Sequence, residues 1–132
     1  MSRGRRASWG LLAAVLGLSV ACAPEEPGSA EPIVMFHTQN TDDGSVAFSV
    51  TTPPPATIRS VLPACEGCQA FLYHSADSTA NIVVVGALSN GPIVRLQMAN
   101  GEPAPWYGVT LRFVARRDYR PRTIYGYGLS VE

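Results

Sequence analysis

From residue 33 onward, hydrophobic and polar positions alternate with the period of two that is typical of half-buried β-strands. The segments VAFSVT (46–51), YGVTLRFVA (107–115) and YGYGLSV (125–131) each place large apolar side chains on one face and small or polar residues on the other. In the second segment, Tyr107, Val109, Leu111 and Phe113 are expected to share that face. The segment NIVVVGAL (81–88) is apolar on both faces, which predicts a central strand that is covered on both sides.

Turn residues separate these runs at regular intervals. Asp43-Gly44 predicts a hairpin, and the prolines of TTPPPAT (51–57) exclude a helix or a central strand. No convincing amphipathic helix occurs in this part of the sequence. The pattern predicts an all-β fold, a single antiparallel β-sandwich of jelly-roll or immunoglobulin-like topology, with a small barrel as the alternative. About eight short strands are expected, at residues 33–38, 45–51, 57–62, 69–74, 81–88, 92–98, 106–116 and 123–131.

The N-terminal segment has the pattern of an export signal. Three arginines in MSRGRRAS precede 13 uncharged residues at 9–21, fewer than the about 20 that span a bilayer. Cys22 follows, and LSVAC resembles the lipobox of bacterial lipoproteins, in which the cysteine is lipidated and becomes the first residue of the mature chain. Ser19 departs from the Leu, Val or Ile that the lipobox usually has there. Cleavage after Ala23 is the alternative, because Ala-Cys-Ala also fits a small-x-small cleavage rule.

This pattern divides the chain into a helical lipoprotein signal peptide at 1–21, a disordered tether at 22–32 and a sandwich domain at 33–132. The sequence APEEPGSAEP lacks the apolar residues of a core and is typical of a flexible linker. By resemblance to lipoprotein sorting rules, Ala23 lacks the aspartate that retains many lipoproteins at the inner membrane. We therefore expect an exported protein that is anchored by its N-terminal lipid in the outer membrane and faces the periplasm or the cell surface.

The charge of the chain argues against several partners. The 132 residues include ten acidic and ten basic residues, and every basic residue is an arginine. From Cys22 onward, seven arginines face ten acidic residues, which gives a formal charge of about −3. Without a long basic run, we expect no nucleic-acid partner, and long-range electrostatic steering is not the mechanism of a nearly neutral domain.

Cys65 and Cys68, in PACEGCQ, are the only cysteines of the predicted domain. In an exported protein such a pair predicts a disulfide across a turn. A thioredoxin-like motif would open a helix, whereas a strand-like QAFLY follows here, and c-type haem would require His where Gln69 stands. A zinc site would have to recruit His37 and His74, which are 37 residues apart. We predict the disulfide and no cofactor, and leave free thiols, a metal site and redox chemistry open as alternatives.

No catalytic motif stands out, and we predict that the protein is not an enzyme. Ser75, His74 and Asp77 contain the residue types of a triad, but such triads are recognised by geometry rather than by adjacency. The sequence has no nucleophile elbow, no His-Glu-x-x-His and no P-loop. Asp42 and Asp43 could offer oxygens to calcium, but a hairpin turn explains them more simply.

Two segments are candidates for ligand contact. The densest charge lies in ARRDYRPR, whose arginines could contact an anionic surface such as phospholipid headgroups, lipopolysaccharide or an acidic glycan; a solvated loop is the alternative. Trp106 and Tyr107, in PAPWYG, could form a platform for a sugar ring, although packing against one end of the sandwich also explains a loop tryptophan. The candidate arginines are Arg116, Arg117, Arg120 and Arg122.

The segment NIVVVGALSNGPIVRLQMA (81–99) resembles the part of cohesin-like domains in which a strand, a polar-glycine turn and a second strand follow one another. DDGSVAFSV (42–50), followed by a proline-rich turn, resembles the early part of the same sandwich. The resemblance implies a jelly-roll-like sandwich, which cohesins share with several carbohydrate-binding modules. It rests on strand pattern in a chain shorter than a full cohesin, so dockerin binding is not assigned.

These observations favour an exported, lipid-anchored binding module without catalytic activity, which recruits a protein or glycan partner at the cell envelope. A structural envelope lipoprotein without a small-molecule ligand is the alternative, and a metal-binding or redox protein that uses Cys65 and Cys68 is the least favoured. An exposed apolar sheet face or an uncovered edge strand would favour a protein partner. An exposed Trp106 beside other aromatic rings would favour a glycan.

Overall fold

A computed structural model describes residues 31–76 and 78–132, which form two antiparallel β-sheets packed as a sandwich. The predicted signal peptide and all but the last two residues of the predicted tether lie outside the described residues. The described part contains nine strands and no helix. The strands are β1 (Ile33–His37), β2 (Asp43–Thr51), β3 (Ile58–Pro63), β4 (Gln69–Ala76), β5 (Thr79–Leu88), β6 (Gly91–Met98), β7 (Gly108–Arg116), β8 (Pro121–Arg122) and β9 (Gly128–Val131).

The chain crosses repeatedly between the two sheets. One sheet has the strand order β3-β6-β1-β9 and the other β4-β5-β2-β7-β8, and every pair is antiparallel. Only β4–β5 and β7–β8 are consecutive strands that pair directly. The prediction of a single antiparallel β-sandwich is therefore confirmed, with a two-residue β8 that is too short for sequence periodicity to reveal.

The core lies between the sheets and is built from the alternation seen in the sequence. Val46, Phe48 and Val50 of β2 are at most 1% exposed, as the pattern of VAFSVT predicts. Removing such a side chain from water contributes about 1.5–3 kcal/mol each. Other fully buried side chains from both sheets complete the core: Val34, Phe36, Ile82, Val84, Leu88, Ile93, Val94, Leu96 and Val114.

Asp43-Gly44 does not form the predicted hairpin. Strands β1 and β2 belong to different sheets, so the chain crosses between layers just before Asp43, which is the first residue of β2. Gly44 lies in a bulge, and a Cβ there would come within 2.7 Å of the Cα of Arg117. The glycine is thus required by a close approach of two backbone segments rather than by a tight turn.

A second bulge corrects the predicted face of Phe113. Leu111 of β7 pairs with Phe48, while Phe113 pairs with Ala47, so Arg112 is an extra residue between them. The bulge places Phe113 on the side opposite Leu111, on the outer face of the five-stranded sheet, where it is 45% exposed. Strand β7 also begins only at Gly108, so Trp106 and Tyr107 precede it.

The prediction that residues 81–88 are covered on both sides is wrong. Strand β5 lies second from the edge of its sheet, between β4 and β2. Its inward residues are buried, but Val85 on the outer face is 43% exposed, and Val83 is only partly buried. A strand that is apolar on both faces has therefore been left with one face open.

The two cysteines form the predicted disulfide. The sulfurs of Cys65 and Cys68 are 1.99 Å apart, and the amide of Cys68 donates to the carbonyl of Cys65 at 3.4 Å across the turn. Gly67 supplies the positive φ of 68° that this turn needs. Cys68 is 7% exposed and belongs to the core, so the clip also fixes the crossing from β3 to β4.

Gly86 of β5 is the position against which the clip packs. A Cβ at Gly86 would lie 2.9 Å from both Cα and Cβ of Cys68, and its φ is 151°. Gly91 has a similar φ of 140°, but a Cβ at that position would have no neighbouring atom within 4 Å. Comparing substitutions at Gly86 and Gly91 therefore distinguishes the energetic cost of the backbone conformation from the cost of steric overlap.

We expect Gly91→Ala to lower the free energy of unfolding by about 1–3 kcal/mol through backbone strain alone. Gly86→Ala should cost a further ~1–3 kcal/mol, because the methyl group overlaps the disulfide turn. Urea unfolding of both variants beside the wild type measures the difference. Equal losses in the two variants would show that the clip does not pack as closely on β5 as described.

Candidate functional site

Asp43 is fully buried and is held by a polar network at one end of the sandwich. Its Oδ2 accepts a hydrogen bond from Thr38 Oγ1 at 2.7 Å, and its Oδ1 accepts one from the hydroxyl of Tyr127 at 2.8 Å. The side-chain amide of Asn40 donates in turn to the Tyr127 hydroxyl at 2.7 Å. A buried carboxylate needs such partners to offset its lost hydration. The network therefore joins the β1–β2 crossing to the start of β9.

Tyr127 contributes to both the core and this network. Its ring stacks on Phe36 with centroids 5.6 Å apart, while its hydroxyl reaches Asp43. Burial raises the pKa of Tyr127 above its ordinary value, and the hydrogen bond and negative charge of Asp43 raise the pKa further. The proton of this hydroxyl is thus stabilised in the folded state.

Three of the four candidate arginines lie beside carboxylates of the same chain. Arg116 Nε lies 3.2 Å from Asp42 Oδ2, and Arg122 contacts both Asp42 and Asp43, the latter at 3.3 Å from Nε. The Nε atoms of Arg116 and Arg122 make no hydrogen bond of good angle in the described structure, so these Nε contacts are chiefly Coulombic. Sequence reasoning missed this pairing, since Asp42 is remote from the arginines along the chain.

The remaining arginines of the segment have weaker partners. Arg120 Nε lies 3.7 Å from Asp118, which Arg116 also approaches, and Arg117 donates to the carbonyl of Thr41 at 3.1 Å. An open, mainly polar depression of about 370 Å³ lies against this segment, lined in part by Arg116, Arg120 and Arg122. An anion entering it would compete with carboxylates already in place, so contact of this patch with an anionic surface stays a prediction.

Trp106 and Tyr107 have different environments. The Tyr107 hydroxyl accepts a hydrogen bond from the backbone amide of Ala104 at 2.7 Å, and its ring packs against the core. Trp106 is 54% exposed, and its ring lies on the outer side of Gly108, next to Thr51. Tyr107 thus serves the packing of its loop, while Trp106 remains available to a partner at one end of the five-stranded sheet.

The outer face of the five-stranded sheet carries the most distinctive surface of the domain. Backbone register places Phe71 opposite Val83, Val83 opposite Ala47 and Ala47 opposite Phe113, which makes one continuous line across four strands. We call these four residues the apolar row. Phe71 and Phe113 are 48% and 45% exposed. Burying their exposed apolar area against another surface would contribute about 25 cal/mol of free energy per Å².

Further exposed side chains extend the apolar row. Val85 lies one outward position along β5, and an adjoining depression of about 220 Å³ is lined by Val85, Gly86 and Tyr119 among others. Tyr119 is 91% exposed and has a φ of 68°, a conformation that residues other than glycine rarely adopt. Tyr73, at a bulge in β4, is 74% exposed. The only sequence signal for this surface was the unexplained second apolar face of residues 81–88.

The two histidines lie on strands of different sheets. His37 is exposed at the end of β1 and contacts Ser130 Oγ at 2.8 Å through Nε2, while His74 and Ser75 lie in β4 of the other sheet. Asp77 lies outside the described residues. Within residues 31–76 and 78–132, no group of three or more His, Cys, Asp or Glu side chains is arranged to hold a metal ion.

Comparison of the chain with protein-family models, with curated proteins and with solved structures finds no match. Within the described residues, no helix has the length and apolar character needed to cross a membrane.

We expect Tyr127→Phe to lower the free energy of unfolding by about 1–3 kcal/mol at neutral pH. The substitution keeps the ring on Phe36 but leaves the buried Asp43 without one of its donors. Chemical denaturation measures the loss, and Tyr125→Phe, at a side chain that is 94% exposed, is the matched control and should change stability by less than about 0.5 kcal/mol.

The same variant tests the pKa of Tyr127. Because the folded pKa is raised above 10.0, the stabilisation is complete below about pH 10 and is lost as the pH rises through the folded pKa. Stability measured from ~pH 8 to ~pH 11 should therefore fall more steeply for the wild type than for Tyr127→Phe. Parallel curves for the two proteins would contradict the raised pKa.

Proposed function

We propose that this protein is an exported, lipid-anchored binding module that recruits a protein partner at the cell envelope through the outer face of its five-stranded sheet. The observation that carries the proposal is the apolar row, in which Phe71 and Phe113 remain about half exposed on a regular sheet. Exposed apolar surface in a continuous patch is typical of an interaction site, whereas single exposed apolar residues are not.

The composition of the face favours a protein over a glycan. Protein interfaces are enriched in aromatic residues and arginine and depleted in Lys, Glu and Asp. Here Phe71, Phe113 and Trp106 lie on the face, together with Arg112 at the bulge of β7. A sugar ring stacked on Trp106 would find Thr51 beside it, but the apolar row offers only Phe, Val and Ala side chains, which cannot hydrogen-bond a sugar. Trp106 accordingly extends the protein-binding face in this proposal.

An open strand edge gives the partner a second means of attachment. On the side away from β2, the described structure pairs β7 with β8 only at Val114 and Ala115. Its backbone from Gly108 to Phe113 therefore has unpaired donors and acceptors next to the apolar row. Such an edge can accept an added strand from a partner.

The proposed anchor rests on the N-terminal sequence. Arginines, a short apolar run and Ala21-Cys22 support export and lipidation, and the tether rich in Pro, Glu, Gly, Ser and Ala would give the domain reach from the membrane. We propose the outer membrane as its location and assign the module no catalytic activity. The cohesin-like resemblance concerns the type of sandwich alone, and we assign no partner from it.

Intact mass spectrometry of the protein extracted from its own membranes, with thiols alkylated and no reductant added, tests the anchor. We expect a chain that begins at Cys22 and carries acyl groups, with Cys65 and Cys68 unalkylated because they form the disulfide. A Cys22→Ser variant should lose the acyl mass. An unacylated chain that begins after Ala23 would refute lipid anchoring.

Photo-crosslinking in living cells tests the binding face. A benzoylphenylalanine residue at Val85, beside the apolar row, should give a covalent adduct with another protein, whereas the same residue at Tyr125 should not. Phe71→Ser combined with Phe113→Ser should lower the Val85 adduct at least about tenfold, since central aromatic contacts dominate interfaces.

Thermal unfolding of each variant shows whether it still folds. Because both Phe side chains are about half exposed, we expect small changes in stability. An adduct of undiminished yield in the folded double variant, or the absence of any protein adduct from Val85, would refute this face as the binding site and favour a purely structural envelope role.

A further inference from the structure

Given the protein partner proposed above, we propose that it presents an apolar centre flanked by carboxylates, which contact Arg112 and Arg117 on the two sides of the apolar row. The partner is thus a protein with an acidic-rimmed apolar surface. Two features point to it. The strands of this face carry almost no negative charge, and two arginines at the face have no carboxylate partner among the described residues.

The four strands that build the face are almost free of negative charge. Asp43 is the only carboxylate in β2, β4, β5 and β7, and it is fully buried in its own hydrogen-bond network. Arg112, by contrast, is exposed on β7, and Arg117 is exposed just beyond the end of that strand. Within the described residues, these four strands consequently offer positive charge and aromatic rings on the face and no exposed carboxylate.

Arg112 lies on one side of the apolar row, toward Ser49. The β-bulge makes it the extra residue between Leu111 and Phe113. Its guanidinium lies 3.5 Å from the hydroxyl of Ser49, which is the next outward position along β2 from Ala47. A contact of that length is weak, so the guanidinium retains most of its hydrogen-bonding capacity for a partner.

Arg117 lies on the other side of the row, toward Ser45 and Val85. With Tyr119 it borders the depression that also contains Ser45 and Val85, the outward positions beyond Ala47 and Val83. One of its nitrogens donates to the carbonyl of Thr41 at 3.1 Å, which fixes the side chain at this end of the face. The remaining donors of the guanidinium are available, because arginine has five.

These two arginines differ from their neighbours in sequence. Arg116, Arg120 and Arg122 each have a carboxylate oxygen within 4.0 Å, from Asp42, Asp43 or Asp118. Among the described residues, neither Arg112 nor Arg117 has one. Charge complementarity across an interface therefore has to come from the partner, and arginine with carboxylate is the pair that best combines charge with geometry.

A second copy of this chain is a poorer occupant. Face-to-face association would bring together two surfaces that both carry arginines and no exposed strand carboxylate. Like charges across an interface oppose association, whereas an acidic rim on the partner accelerates encounter and fixes orientation. An adduct between two copies, or with lipid, is nevertheless an outcome that the experiment can return, and it would overturn the inference.

The Val85 crosslinker is the probe for this inference, used in the full-length anchored protein in isolated envelopes. Arg112→Glu and Arg117→Glu should each lower the yield of the protein adduct at least about fivefold, because attraction becomes repulsion. Arg95→Glu, at an exposed position on β6 of the other sheet, is the matched control and should leave the yield unchanged. Raising NaCl from ~50 mM to ~500 mM should lower the wild-type yield severalfold.

The outcomes separate this inference from the proposed function. A protein adduct that depends on Phe71 and Phe113 but not on Arg112, Arg117 or salt would overturn the acidic rim and leave the binding face intact. Loss of the adduct in Arg95→Glu as well would overturn the assignment of the effect to this face. No protein adduct from the wild type would refute the proposed function itself.

Discussion

The burial of Asp43 is the constraint on which one end of the sandwich depends. A carboxylate with no exposed surface must have partners, and here Thr38 and Tyr127 donate hydrogen bonds to it while the guanidinium of Arg122 lies nearby as a counter-charge. These partners belong to the β1–β2 and β8–β9 crossings, so satisfying one charge fixes two connections between the layers. Removing a partner from such a network leaves a buried charge incompletely compensated, which is more costly than the net worth of the lost bond.

This constraint also shapes what the surface can do. Asp42 and Asp43 attract Arg116 and Arg122, so the densest run of arginines is largely directed toward the protein's own carboxylates. Arg112 and Arg117, which have no carboxylate within 4.0 Å among the described residues, lie instead at the outer face of the five-stranded sheet. In the proposed interface, ion pairing within the chain and contact with a partner thus use different arginines of one short segment of chain.

Two β-bulges position side chains of the proposed binding face. The bulge at Arg112 turns Phe113 outward into line with Ala47, Val83 and Phe71, and at the same time places a guanidinium beside that line. The bulge at Gly44 lets the segment that carries Arg117 approach β2 closely. Neither bulge has a sequence signature that periodicity detects, because one inserted residue merely reverses the faces of the strand beyond it.

From the sequence alone one can predict the fold class, the position of most strands, the inward face of β2 and the disulfide, because these depend on local alternation and on neighbours three residues apart. The sequence does not show which strands pair. It wrongly predicts a hairpin at Asp43-Gly44, the inward face for Phe113 and burial of both faces of β5. Those features depend on contacts between distant residues, such as Tyr127 with Asp43 or Ala47 with Phe113. The packing of the two sheets against each other determines that β5, which is apolar on both faces, buries one of them and leaves the other exposed.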